Sequence, residues 1–174
     1  MRLADVGVAA ALSLLCLTGC TDAVADSISP QDARRQVVDA SRQVVADLGA
    51  EVATAKFGYD SCNDRGDAPF RGHGNLLLWM PGADRTREVP ADTVLDLLRQ
   101  RGWQTDPHFT SHGTTFQRGG VDVSVWVIPP PKPDSPPVGH VIVDVFGECR
   151  DAFDHRTDHT DRLSEDIREV VSSG

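Results

Sequence analysis

Cys20 is the residue whose type and position predict the most specific chemistry in this sequence. It directly follows Leu17-Thr18-Gly19, and these residues close a short apolar run that comes after the basic residue Arg2. A basic start, an apolar run and small residues before a cut are the layout of a secretory signal peptide. Residues 1–19 are therefore predicted to be a signal peptide, which leaves Cys20 as the first residue of the mature chain.

The segment from Leu17 to Cys20 resembles a bacterial lipobox, in which the cysteine sulfur receives a diacylglyceryl group. The alternatives are a cleaved signal without lipid and a transmembrane helix, but a spanning helix needs about 20 apolar residues. We therefore expect lipidation of Cys20, with palmitate among the acyl chains. Because two acyl chains anchor a protein stably, the predicted localisation is the cell membrane, lipid-anchored on its extracytoplasmic face.

Two further cysteines of the mature chain, Cys62 and Cys149, could form a disulfide or act as free thiols. Outside the cytoplasm such a pair is expected to be oxidised. A reactive thiol would need a neighbouring histidine or a second nearby cysteine to lower its pKa, and neither residue has one in the sequence. We therefore predict a Cys62–Cys149 disulfide that staples the domain.

His155 and His159, with Asp151 before them, are the candidate metal ligands. On a helix, two histidines four residues apart share a face, and with a carboxylate they could bind zinc or copper. The alternative is a solvated helix start, where acidic side chains are favoured by the helix dipole. The glutamate of a zinc-protease motif is missing. The sequence therefore assigns no metal and no cofactor, and it keeps these three residues as weak candidates.

The three tryptophans could either stack on a sugar or pack in the core. Trp79, Trp103 and Trp126 each lie in or beside a segment rich in valine or leucine, which favours core packing. Trp126 is the best candidate for exposure, because it alternates onto the same strand face as Asp122 and Ser124.

Catalytic motifs give no support for an enzyme. The sequence contains no Gly-x-Ser-x-Gly, no Ser-x-x-Lys and no phosphate-binding loop. His108 and His112 are bracketed by Pro107 and Gly113, which indicate a loop with surface polar residues. A hydrolase would need a cleft with clustered titratable groups. That alternative stays open, and the sequence favours a protein that is not an enzyme.

The amino-acid composition limits the kinds of partner that this protein is expected to bind. The formal net charge of −9 argues against nucleic acid and against broad contact with an anionic membrane surface. The predicted partners are the membrane, through the lipid, and a protein or cell-wall component. Arginine greatly outnumbers lysine, which suggests a GC-rich genome such as that of an actinobacterium.

The expected elements build one domain over residues 29–174, after a spacer at residues 20–28. They follow in chain order: a helix from Ser29 to Gly49, strands near 51–59 and 72–80, a helix at 90–101, a hairpin around Gly119-Gly120, a strand at 139–146 and a final helix from about Ala152. Hairpin connections predict a two-layer α+β fold, with a mostly antiparallel sheet of about five to six strands and helices packed on one face.

Four segments together resemble small actinobacterial cell-envelope lipoproteins. Beside the lipobox they are Tyr59-Asp-Ser-Cys62-Asn-Asp-Arg-Gly66, Leu98-Arg-Gln-Arg-Gly-Trp103 and Val143-Asp-Val-Phe-Gly-Glu-Cys149. The resemblance implies a lipoprotein and implies no activity or ligand. The predicted function is a non-enzymatic binding or scaffolding role in the cell envelope, and the alternative is a metal-binding envelope lipoprotein that uses His155 and His159.

Overall fold

The first helix, α1 (Pro30–Leu48), begins and ends at the residues that the sequence predicts. The Ser29 side chain caps it by accepting a hydrogen bond from the backbone N–H of Asp32, and Pro30 occupies the first turn. Gly49 ends the helix with φ of 60°, a left-handed conformation that glycine adopts without steric cost. The computed structural model describes residues 27–132 and 134–173, so the predicted signal peptide and Cys20 lie outside the described residues.

Seven strands and three helices occur within these described residues. The helices after α1 are α2 (Ala91–Gln100) and α3 (Arg168–Ser172). The strands are β1 (Glu51–Ser61), β2 (Phe70–Trp79), β3 (Gln104–Thr105), β4 (Thr114–Arg118), β5 (Val121–Val127), β6 (Val141–Phe146) and β7 (Glu165–Asp166). They form one sheet in the order β3-β4-β5-β6-β2-β1-β7, and every strand pair is antiparallel. No helix in this part of the chain has the length and apolar character that crossing a bilayer requires.

The core lies between α1 and one face of the sheet. Val37 of α1 reaches so close to β2 that a Cβ on Gly72 would stand 2.9 Å from its methyl group and 2.8 Å from the Ala33 carbonyl oxygen. Only glycine allows this approach. Valines of β5 and β6 complete the same buried face: Val121, Val123, Val125, Val141, Val143 and Val145. This arrangement agrees with the predicted α+β class.

The predicted strand number was wrong, since the sheet has seven strands where about five to six were expected. The additional short strand β7 contains only Glu165 and Asp166, and both are exposed. Two exposed acidic residues carry no alternating apolar pattern, so sequence periodicity could not identify them.

The predicted helix from about Ala152 was also wrong. Residues 152–164 form turns, and α3 begins only at Arg168. Asp154 and Asp158 each accept a hydrogen bond from a backbone N–H two residues ahead. Such local side-chain bonds compete with helix formation. His159 accordingly has φ of 63°, in the left-handed region.

A disulfide joins Cys62 to Cys149, with Cα atoms 5.9 Å apart. Cys62 follows β1 and Cys149 follows β6, and these strands lie on opposite sides of β2. The bridge therefore links two strand ends that share no hydrogen bonds with each other, across 87 residues of chain.

Removing this bridge should lower stability substantially. A loop of 87 residues predicts a loss of about 4.5 kcal/mol in the free energy of unfolding, because the unfolded chain regains entropy. Urea unfolding of the Cys62→Ser/Cys149→Ser protein should show this loss against wild type. Wild type treated with a thiol reductant is the matched control and should move toward the variant. Equal stabilities of variant and wild type would contradict a structural role for the bridge.

Candidate functional site

The sheet face opposite α1, which we call the open face, carries polar and aromatic side chains. Alternate residues of a strand point to opposite faces. Because Gly72 and Gly74 face α1, Arg71 and His73 face away from it. Neighbouring strands add residues to the same face through the register of the sheet: Asp60 opposite Arg71, Phe146 opposite His73, and Asp144 opposite Asn75 and Ser124. This face holds a cleft of about 320 Å³.

His73 lies at the floor of the cleft between two carboxylates. Its Nε2 is 3.1 Å from Asp144 Oδ1, and its Nδ1 is 2.8 Å from Asp60 Oδ2. The second contact is too bent for an aligned hydrogen bond, so it acts as an ion pair. Burial lowers the pKa of His73, but its contacts with Asp144 and Asp60 outweigh burial and raise the pKa to about 9. The ring is therefore charged at neutral pH.

Arg71 places a guanidinium in the same cleft. Its carbon Cζ lies 4.5 Å from the ring centre of Phe146 and 5.3 Å from that of Phe109, in cation–π contact with both. Nε of Arg71 is buried without a hydrogen-bond partner among the described residues. Burial lowers the pKa of Arg71, while Asp60 and Asp122 act in the opposite direction. One of the five N–H donors of this guanidinium is therefore unsatisfied within the described part of the chain.

A loop from Asp106 to Gly113 forms one wall of the cleft. Ser111 fixes it to the sheet, because its hydroxyl lies 2.6 Å from that of Ser124 and 3.1 Å from that of Thr115. Phe109 extends from this loop over the sheet, and its ring centre lies 5.2 Å from that of Phe146. The aromatic pair and the hydroxyl cluster together hold the wall in place.

Carboxylates in and near the cleft offset the positive charges of Arg71 and His73. Burial raises the pKa of Asp122, and its neighbour Asp106 raises it further, whereas Arg71 lowers it. Asp144 accepts both His73 and Asn75 on Oδ1, which leaves Oδ2 without a hydrogen bond in the part of the chain that the structure describes. The cleft therefore offers donors from Arg71 and acceptors from Asp144 and Asp60 side by side.

The three tryptophans differ in exposure as their strand positions predict. Trp79 and Trp103 are 8% and 3% exposed, and the indole N–H of Trp103 donates to Asp47 at 2.9 Å. Trp126 is half-buried and lines the cleft. A second cavity of about 380 Å³ adjoins it, and Trp126 and His112 line both.

The candidate metal ligands do not form a site of the expected kind. His155 is 1% exposed, with Nε2 2.9 Å from Asp151 Oδ2 and Nδ1 2.7 Å from Thr160 Oγ1. Both ring nitrogens are therefore already engaged. His159 lies exposed on a turn, so the helical geometry expected to pair it with His155 is absent. Among the residues described, no group of three or more His, Cys, Asp and Glu side chains is placed to hold a metal ion.

His155 instead lies buried in the core, close to the disulfide. Its ring stacks on Tyr59 with centres 3.5 Å apart and planes inclined by 9°. Asp151, fully buried, pairs through its backbone with Phe70 of β2. The Asp151–His155 pair thus secures the segment after Cys149 against the first two strands.

Sequence reasoning missed the residues that the cleft brings together, above all Arg71, His73 and Asp144. One signal was present in the segment Arg71-Gly-His-Gly-Asn75, where polar residues alternate with glycines in the middle of a sheet. A strand that places glycines on its covered face and charges on the other requires a close helix and a polar surface. The partner carboxylates come from β1 and β6, which only the strand pairing brings near.

Comparison with known proteins gives a match to one family. Residues 29–169 match a family model described as "Putative lipoprotein LppJ". Relatives of that name from two strains of Mycobacterium tuberculosis and from Mycobacterium bovis are 28% identical over 141 residues. The match covers 79% of this chain and 69% of each relative. No solved structure gives a significant match.

Titration should reveal the charged state of His73. Because its folded pKa of about 9 exceeds the ordinary value of 6.5, protonation favours the folded protein. The resulting stability is complete below pH 6.5 and is lost as the pH rises through 9. We expect a midpoint near pH 9 for the His73 ring by NMR, and a fall of about 1–3 kcal/mol in the free energy of unfolding across this interval.

The variant His73→Gln should lose most of this pH dependence, because it cannot titrate. His159→Asn is the matched control: it removes an exposed histidine, and Asn tolerates the left-handed backbone at that position. It should keep the wild-type dependence. A midpoint near the ordinary histidine pKa for His73 in the folded protein would contradict the ion-paired geometry.

Proposed function

Because the chain belongs to the LppJ lipoprotein family, we propose that it is a lipid-anchored protein of the cell envelope with a non-enzymatic binding role. The family name supports the lipoprotein assignment, and the membrane anchor and the ligand are our proposal. The cleft on the open face is the proposed binding site. The alternative of a metal-binding protein loses its main support, because both ring nitrogens of His155 are occupied by protein atoms.

The anchor rests on the sequence before the described residues. Leu17-Thr18-Gly19-Cys20 follows the apolar run and comes shortly before the folded domain, which starts with α1 at Pro30. Such a short spacer would hold the domain close to the membrane surface. The Cys62–Cys149 disulfide suits the same compartment, since disulfides persist in oxidising surroundings.

The binding role rests on one observation above the others, the under-satisfied guanidinium of Arg71. Natural proteins rarely leave buried polar atoms without partners, and exceptions point to function or to bound solvent. Here Nε is buried and the side chain is held by two aromatic rings beside an open cleft. Arg71 lines the cleft, so a polar ligand there would accept hydrogen bonds from its terminal N–H groups.

The same groups argue against hydrolysis. A histidine that acts as general base near neutral pH must be unprotonated, with a pKa near that pH. His73 is instead paired with two carboxylates, and its pKa of about 9 keeps it protonated. The ring therefore orients the carboxylates and does not accept a proton from a substrate.

Replacing the proposed lipid acceptor should release the protein from the membrane. The Cys20→Ser protein, expressed as the full chain in a mycobacterial host, should move from the membrane fraction to the soluble extracytoplasmic fraction. Cys16→Ser is the matched control, since it removes a cysteine four residues earlier, within the apolar run. It should stay with the membrane. Full retention of the Cys20→Ser protein in the membrane fraction would disprove the lipid anchor.

Replacing Arg71 should abolish ligand retention in the cleft. We would incubate the protein with the water-soluble small-molecule extract of its host's envelope and identify bound species by native mass spectrometry. Wild type should retain a polar molecule that Arg71→Met loses, because methionine keeps the apolar contacts without the donors. Arg85→Met is the control, since Arg85 stacks on Trp79 and lies outside the lining of the cleft. No retained molecule, or equal retention by Arg71→Met, would disprove a binding role for the cleft.

A further inference from the structure

Trp126 lies between two adjoining cavities, because it lines both of them. The cleft of about 320 Å³ contains Arg71 and His73, and the second cavity of about 380 Å³ contains Glu88 and Leu95. Both volumes lie at the lower end of the range for small-molecule sites. Because Trp126 and His112 line both, a ligand longer than either cavity could lie across the indole.

The charges of the cleft exclude a ligand with a strong charge of its own. Arg71 and protonated His73 would repel a cation, and the carboxylates of Asp60 and Asp144 would repel an anion. Donors and acceptors of both signs stand together, so the best partner is a neutral group that both donates and accepts. Hydroxyl groups do both.

The aromatic surfaces add a requirement for flat apolar faces. Half-buried Trp126 and the neighbouring rings of Phe109 and Phe146, which are tilted by 35° to each other, line the same cleft as the charged groups. A ligand must therefore present apolar faces to the aromatic rings and hydroxyl groups to the charged side chains of the cleft. Sugar rings combine both properties, since their C–H groups form flat faces and their hydroxyls lie at the edge.

We infer that the occupant of the cleft is a neutral oligosaccharide that crosses Trp126 and extends into the second cavity. This inference rests on the proposed binding function and names its ligand class. Arg71 donates to the sugar oxygens, the free oxygens of Asp144 and Asp60 accept from its hydroxyls, and the indole supports the neighbouring ring. Trp126 is thus the residue that determines preference for length.

The test measures binding of the chitin trisaccharide, maltotriose and mannotriose to the full-length protein in detergent, with the indole N–H resonance of Trp126 as reporter. At least one should bind in the millimolar range or better and shift that resonance more than those of buried Trp79 and Trp103. Its monosaccharide should bind at least about tenfold more weakly. The deacetylated, cationic chitin trisaccharide and the anionic trigalacturonate should bind more weakly than the neutral sugar.

Variants distinguish the cleft from other surfaces. Arg71→Met and Trp126→Ala should each weaken binding of the neutral trisaccharide at least about tenfold, while Arg85→Met should leave it unchanged. Thermal unfolding monitors folding of each variant, and Trp126→Phe provides a milder change at the same site. Absence of binding by all three neutral sugars, tighter binding of a charged one, or full binding by folded Trp126→Phe and Arg71→Met would overturn the inference. An envelope extract whose retained molecule is not a sugar would overturn the ligand class while leaving the binding function intact.

Discussion

The close approach of α1 to β2 is the constraint on which the rest of this structure depends. Val37 and the Ala33 carbonyl occupy the space where side chains of Gly72 and Gly74 would stand. This contact decides which face of β2 is covered. A shift of the strand by one residue would turn Arg71 and His73 into the apolar layer beneath the helix, where their charges would be too costly to bury. Helix packing thus fixes both the core and the polar surface.

The clusters around His155 and His73 each pair a histidine with a carboxylate, but the two clusters differ in their surroundings. His155 and Asp151 are buried against Tyr59 and Phe70, so their hydrogen bonds hold the segment after the disulfide to the first two strands. His73 also pairs with carboxylates, yet it stands in a cleft beside Arg71, whose buried Nε has no hydrogen-bond partner among the described residues. The chemistry of the side chains is the same, and access to solvent separates a structural pair from a candidate binding site.

No sequence motif marks the cleft, because its charged and aromatic residues come from separate parts of the chain. Many catalytic and metal sites carry a local signature, such as ligands at a fixed spacing or a nucleophile within a short motif. The side chains of this cleft come instead from β1, β2, β5, β6 and one loop. None of these residues belongs to a recognisable motif by itself, and only the pairing of the strands brings the donors, acceptors and aromatic rings together.

Local signals in the sequence determined α1 with its Ser29 cap and Gly49 end, the hairpin at Gly119-Gly120 and the alternating valines of β5, because these depend on residues close along the chain. The same alternation placed Trp126 with Asp122 and Ser124. Tertiary structure alone decided that Asp60 and Asp144 meet His73, because they come from strands that flank β2 and are separated from it by turns and other strands. It also decided that the aspartates after Cys149 form turns, where periodicity had favoured a helix. There, hydrogen bonds from side chain to backbone and burial of His155 outweigh the pattern of apolar residues.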